Sequence, residues 1–83
     1  MEFLFKDTAE NDLRFFSKDP QILKRIELLL KDIKQHPSLG IGKPELLKEN
    51  LSGFWSRRIN REHRIIYKYD KNTVTFYSFR GHY

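Results

Sequence analysis

The sequence predicts an α+β fold in which a two-helix hairpin covers one face of an antiparallel-rich twisted sheet, in the order β-α-α-β-β-β. Three features predict it. A short aromatic run opens the chain, two stretches with apolar residues at helical spacing follow, and three runs rich in β-branched and aromatic residues close it.

Phe3-Leu4-Phe5 reads as the opening strand. Asp7 followed by Glu10 has the form of a capping box, and Ala9, Leu13 and Phe16 recur at i, i+4, i+7, so a first helix is expected over Thr8 to Phe16. Asp19-Pro20 opens a second helix, because Asp19 can accept from the first turn and proline lacks only an N–H that would have no helical partner. Ile22, Leu23, Ile26, Leu29, Leu30 and Ile33 form one apolar stripe along it. Pro37 disfavours helical geometry at His36, which places the end near Gln35. Gly40 and Gly42 punctuate a loop over Pro37 to Lys43, and a helical turn is expected at Glu45 to Lys48. Phe54 to Ile59, His63 to Tyr69 and Thr73 to Phe79 then read as strands, joined by Asn60-Arg61-Glu62 and Asp70-Lys71-Asn72 into a meander. Side chains alternate along a strand, so Arg57 and Arg58 face opposite sides, and Arg64, Ile66 and Lys68 share the side away from His63, Ile65 and Tyr67.

A chain of 83 residues is expected to fold as a single domain over 1–83, since halves would be too small to bury a core. No apolar run approaches the roughly 20 residues needed to cross a bilayer, and the opening residues do not have the pattern of a secretory signal. Cysteine is absent, which excludes disulfides and thiolate metal sites and fits a cytoplasmic setting. The net charge of +5 lies entirely in the second half: residues 1–41 carry seven basic and seven acidic groups, residues 42–83 nine and four. That asymmetry points to a surface made for a polyanion.

Gly40-Ile41-Gly42-Lys43 lacks the spacing of a phosphate-binding loop, and Pro44 stands where such a loop needs a hydroxyl. His36, His63 and His82 are too scattered for a zinc motif, and Ser17, Ser52, Ser56 and Ser78 have no signature of an acyl-transfer nucleophile. No metal or cofactor is indicated. What remains suits RNA cleavage by attack of a ribose 2′-OH on the adjacent phosphate: a base, an acid, and cations to hold the charge that builds on the phosphate. Glu45, Arg64, His82, Tyr83 and the Arg57/Arg58 pair supply that inventory. Trp55 reads as core or rim packing, and His63 as a satisfied structural histidine.

The run from Gly42 to Ile59 (GKPELLKENLSGFWSRRI), the segment Glu62-His63-Arg64-Ile65-Ile66-Tyr67 and the ending Arg80-Gly81-His82-Tyr83 resemble the signature of YoeB-type toxins of the RelE/ParE superfamily. The likeness covers almost the whole chain and implies a RelE-like fold. It also implies a metal-independent endoribonuclease that cleaves messenger RNA in the ribosomal A site. By position it assigns the general base to Glu45, transition-state stabilisation to Arg64, the general acid to His82 and substrate orientation to Tyr83. Lys43, Lys48, Arg57 and Arg58 are expected to contact substrate or ribosomal RNA. One departure is Gly81, where relatives often carry an aromatic residue. The implied partners are the 70S ribosome with its mRNA and a YefM-like antitoxin whose disordered C-terminal segment folds over the toxin. Operator DNA would be reached through the antitoxin, a homodimer is possible, and no membrane is involved. The competing readings are a non-catalytic ribosome- or RNA-binding translation blocker and, further off, a ParE-like gyrase inhibitor.

Overall fold

The computed structural model describes residues 1–81; His82 and Tyr83, to which the acid and the substrate-orienting role fall by resemblance, lie outside the described residues. The chain runs β1 (Glu2–Phe5), α1 (Asp7–Phe15), α2 (Pro20–Gln35), β2 (Glu45–Leu46), a 3₁₀ turn (Glu49–Leu51), β3 (Trp55–Arg58), β4 (Arg64–Tyr69) and β5 (Thr73–Ser78). The sheet order is β1-β5-β4-β3-β2, with β1 parallel to β5 and every other pairing antiparallel. Both helices lie on one face. Ala9, Phe16, Ile26, Leu29 and Ile33 from the hairpin meet Ile65, Tyr67, Val74 and Phe76 from the sheet, with Ile59 and Phe79 just past the ends of β3 and β5. Burial of a side chain of this size contributes about 1.5–3 kcal/mol, so the apolar stripe of α2 holds the hairpin in place.

Two local expectations are corrected. Asp7 does not cap α1; Lys6 occupies the cap position without a side-chain bond, and Asp7 and Glu10 lie in the first turn. The sheet decides this, because the Lys6 N–H still donates to Phe76 O at 2.9 Å and the helix begins one residue later. Acidic groups there favour the helix through its dipole. The helical turn expected at Glu45 to Lys48 is a strand instead, pairing Glu45 with Ser56 and Leu46 with Trp55, while Leu47 N–H donates to Phe54 O. Without it β3 would present an unpaired edge, and backbone groups at such an edge take a partner where one is in reach. The Asp19 cap is present, with its carboxylate accepting from Ile22 N–H at 3.2 Å.

The loop between α2 and β2 is organised around Arg57. This side chain is fully buried, and its guanidinium uses all five donors. Nε donates to the Tyr67 hydroxyl at 3.1 Å, Nη1 to Asp32 and to Ile41 O at 2.9 Å, and Nη2 to His36 O and to Leu39 O at 2.6 Å. Tyr67 passes the network on by donating to Pro37 O at 2.6 Å. The loop must therefore wrap closely, and two glycines permit it. A Cβ at Gly40 (φ +115°) would lie 1.9 Å from an Asp32 carboxylate oxygen, and one at Gly42 (φ +81°) 2.7 Å from a Leu29 methyl.

The Arg57 hydrogen bond holds the Asp32 carboxyl below its ordinary range, over the opposing effect of burial, and the Ile41 N–H adds to it. Burial pushes the Tyr67 phenol up, which keeps it a donor. Because the folded-state value of Asp32 lies below the unfolded one, its contribution to stability is complete above the ordinary carboxylate pKa of about 3.9 and is lost as pH falls through the lowered value. Urea unfolding of wild type and Asp32→Asn should therefore show a constant gap from neutral pH to about pH 5 that closes on acidification below about pH 4. A gap that stays constant through that acid range would refute the ion pair's contribution.

Candidate active site

The face of the sheet that the helices leave open carries the candidate site. Glu45 pairs with Ser56 and Ser56 with Ile66, while Arg58 pairs directly with Arg64. Paired residues share a face, and so do residues two apart along a strand, so Glu45, Ser56, Ile66, Arg58 and Arg64 all face the same way. Glu45 lies one row, about 7 Å, along the strands from the two arginines. Buried Ser56 and Ile66 form the floor between them.

Two arginines directly opposite one another repel, an arrangement that an anion between them relieves. Further guanidinium groups add to it. Arg25, Arg58, Arg61 and Arg64, with Ile59 and Asn60, line a depression of about 330 Å³ without an acidic residue among them. Backbone carbonyls aim two of these cations: Arg25 Nε donates to Ile59 O at 3.4 Å, and Arg64 Nη1 donates to Asn60 O at 3.0 Å and to His63 O at 3.3 Å. On the other side of Glu45 a second depression, about 440 Å³, is lined by Glu45, Leu46, Leu47, Lys48 and Leu51. Lys43 and Lys48 are both exposed near it in the chain. Farther along the open face, Lys68 lies over the Phe54 ring at 4.2 Å, and Phe54 meets Tyr77 edge-on at 4.9 Å.

The segment that leads to His82 returns to the same place. After β5 the chain passes beside the start of β4, where Arg64 N–H donates to Gly81 O at 3.1 Å and Gly81 N–H donates to His63 Nδ1 at 2.8 Å. Glu45, Arg58, Arg64 and the residue preceding His82 therefore gather at one end of the open face.

Arg57 does not join them, and its expected role as a substrate contact is corrected. It pairs with Ile65 on the helix side, is fully buried, and has every donor engaged, so it has neither a path nor a free N–H for a phosphate. Conversely, Arg25 and Arg61 belong to the cationic depression although nothing in the sequence singled them out. Arg25 lies beside the apolar stripe of α2 and looks like its neighbour Lys24, and Arg61 looks like an ordinary polar turn residue. Trp55 packs at the edge of the core against Tyr69, in line with its reading as a packing residue.

A helical hairpin on one face of a five-stranded sheet, with a cationic row on the other, is the RelE-like arrangement seen in small bacterial toxins. It aligns with the YoeB/ParE toxin from Agrobacterium tumefaciens at a TM-score of 0.95 and 32% identity over all of both chains. The YoeB dimer from Staphylococcus aureus superposes at a TM-score of 0.91, with 42% identity over 100% of this chain and 98% of that one. The same toxin in its heterotetrameric YoeB-YefM complex gives 0.90, at the same identity and coverage. In sequence, a protein named Toxin YoeB from Synechocystis is 48% identical over 100% of this chain and 98% of its own. Residues 5–83 match the family described as "YoeB-like toxin of bacterial type II toxin-antitoxin system". The chain belongs to that family and is the toxin component of a type II toxin-antitoxin pair.

Proposed function

We propose that this toxin is a ribosome-dependent endoribonuclease that cuts messenger RNA in the A site by metal-independent attack of a ribose 2′-OH on its own phosphate. The observation that carries the reading is the arrangement of Glu45 one row from the cross-strand pair Arg58 and Arg64 on the open face. Glu45 takes the 2′-OH proton, Arg64 and Arg58 hold the phosphate charge, His82 protonates the leaving 5′-oxygen, and Tyr83 orients the substrate. The nucleophile is already tethered beside its phosphorus, so positioning and charge supply most of the rate. Lys43 and Lys48 contact the RNA backbone near Glu45. Arg25 and Arg61 bind a neighbouring phosphate of the messenger or ribosomal RNA.

The natural setting of this chemistry is the cytoplasm. The partner is a YefM-like antitoxin, as in the S. aureus YoeB-YefM complex, which would cover the cationic face and carry the pair's contacts with operator DNA. A homodimer of the free toxin is supported by the S. aureus YoeB dimer.

The test is a ribosome programmed with a defined A-site codon. Wild type should cut within that codon, leave a 2′,3′-cyclic phosphate or 3′-phosphate end, and lose the activity in His82→Ala. Ribosome binding without a cut would make the protein a translation blocker. Cationic contacts of this kind also make binding salt-dependent. Arg25→Ala and Arg61→Ala should each weaken ribosome binding and reduce the slope of log affinity against log salt by about 1, with the rate at saturation unchanged. An unaltered slope would remove these two arginines from the interface.

A further inference from the structure

Asp12 and His63 are polar groups, buried and half-buried, that the proposed chemistry leaves without a task. Both accept hydrogen bonds from the chain just beyond β5. Phe79 N–H donates to Asp12 Oδ2 at 2.9 Å, and Gly81 N–H donates to His63 Nδ1 at 2.8 Å. Between them, the Arg80 guanidinium lies over the Phe15 ring at 3.6 Å. The imidazole is itself well seated. The ring meets Phe16 edge-on at 5.0 Å, and the His63 backbone is fixed as well, its amide N–H donating to Asn60 Oδ1 at 2.9 Å and its carbonyl accepting from Ile59 N–H at 3.0 Å.

Gly81 has little else to hold it. Nothing stands within 4 Å of the place a Cβ would take, and its φ of +80° lies in the left-handed region that glycine adopts without strain. A segment beyond the last strand is ordinarily loose unless its backbone is tied. Here the ties are the His63 Nδ1 bond and the adjacent Arg64 N–H to Gly81 O bond.

We propose that His63 is a positioning residue: it anchors Gly81, the residue from which the chain continues to the proposed acid His82, and cleavage depends on that anchor. The inference rests on the nuclease reading above and adds to it a residue on which the acid step depends. Accepting at Nδ1 puts the imidazole proton on Nε2, so the role calls for an acceptor at one ring position and not for a charge. His63→Phe keeps the ring and its contact with Phe16 but removes the acceptor. His63→Asn sets Oδ1 where Nδ1 was and restores it.

The experiment compares wild type, His63→Phe and His63→Asn by single-turnover cleavage on programmed ribosomes and by amide hydrogen exchange at Gly81, with the Val74 amide in the same protein as a measure of folding. The His63→Phe variant should exchange faster at Gly81 alone. It should cut roughly ten- to a hundredfold more slowly at saturating ribosome, with the half-saturating concentration unchanged, because a small misplacement of a reacting group is costly. His63→Asn should recover most of both properties. A His63→Phe protein that cuts at the wild-type rate, or a His63→Asn protein no better than it, overturns the inference and leaves the nuclease reading standing. A wild type that binds ribosomes without cutting overturns both.

Discussion

Replacing Arg57 by alanine is expected to cost the fold about 3–5 kcal/mol, a large share of the 5–15 kcal/mol that stabilises a typical small domain. The cost comes from what the guanidinium leaves behind. Asp32 would lose its cation, the carbonyls of His36, Leu39 and Ile41 would lose their donors, and the Tyr67 hydroxyl would lose Nε. Arg57→Lys should rescue little, since an ammonium offers three donors around a point and cannot reproduce a planar fork of five. Chemical denaturation of the purified variants measures this directly. A loss below about 1 kcal/mol, the usual range for a surface substitution, would show that the side chain is not the anchor described. The same loop leads through Gly42, whose carbonyl accepts from Arg58 N–H at 2.7 Å, to Glu45. A destabilised loop therefore also loosens the proposed base.

Arg64→Ala and Glu45→Ala should each slow single-turnover cleavage on the ribosome by about 10²–10³-fold while leaving the protein folded. Arg64 stands in the cross-strand row where phosphate charge would build up, and removing one group that stabilises such charge typically has that effect. Neither variant should unfold, because Glu45 is exposed and Arg64 is half-buried at the start of its strand. Arg64→Lys should recover part of the rate, as it keeps the charge and loses the bidentate geometry. If Arg64→Ala cleaves within about twofold of wild type, the transition-state assignment fails, because a group acting there must appear in the rate at saturation. The contrast with Arg57 is the sharper comparison: one arginine should fail in stability and the other in rate.

That contrast also marks how far the residues could be read before the fold. Periodicity located both helices, because a stripe such as Ile22, Ile26, Leu29 and Ile33 can be buried only from a helix. Alternation showed that Arg57 and Arg58 face opposite sides, but the pattern is symmetric and did not say which side the hairpin covers. The resemblance singled out Glu45 and Arg64, and the structure sets them on one face. Asp12 carried no such signal, since it meets Phe79 across 67 positions of chain, and His63 read as a satisfied structural histidine whose partner, Gly81 N–H, only the fold supplies.

The sequence by itself determined the α+β class, the extent of the hairpin, the concentration of positive charge in the second half and the membership of a toxin family. These follow from local periodicity, from summed charge and from motifs contiguous in the chain. Only the tertiary structure decided that β1 lies parallel beside β5, that Glu45 opens a strand, that Arg57 is buried under a loop while Arg25 and Arg61 face the site, and that His63 holds Gly81. Each of these depends on which distant backbone and side-chain groups satisfy one another when the helices close over one face of the sheet. Such pairing is a property of the packed chain and leaves no trace in the spacing of residues along it.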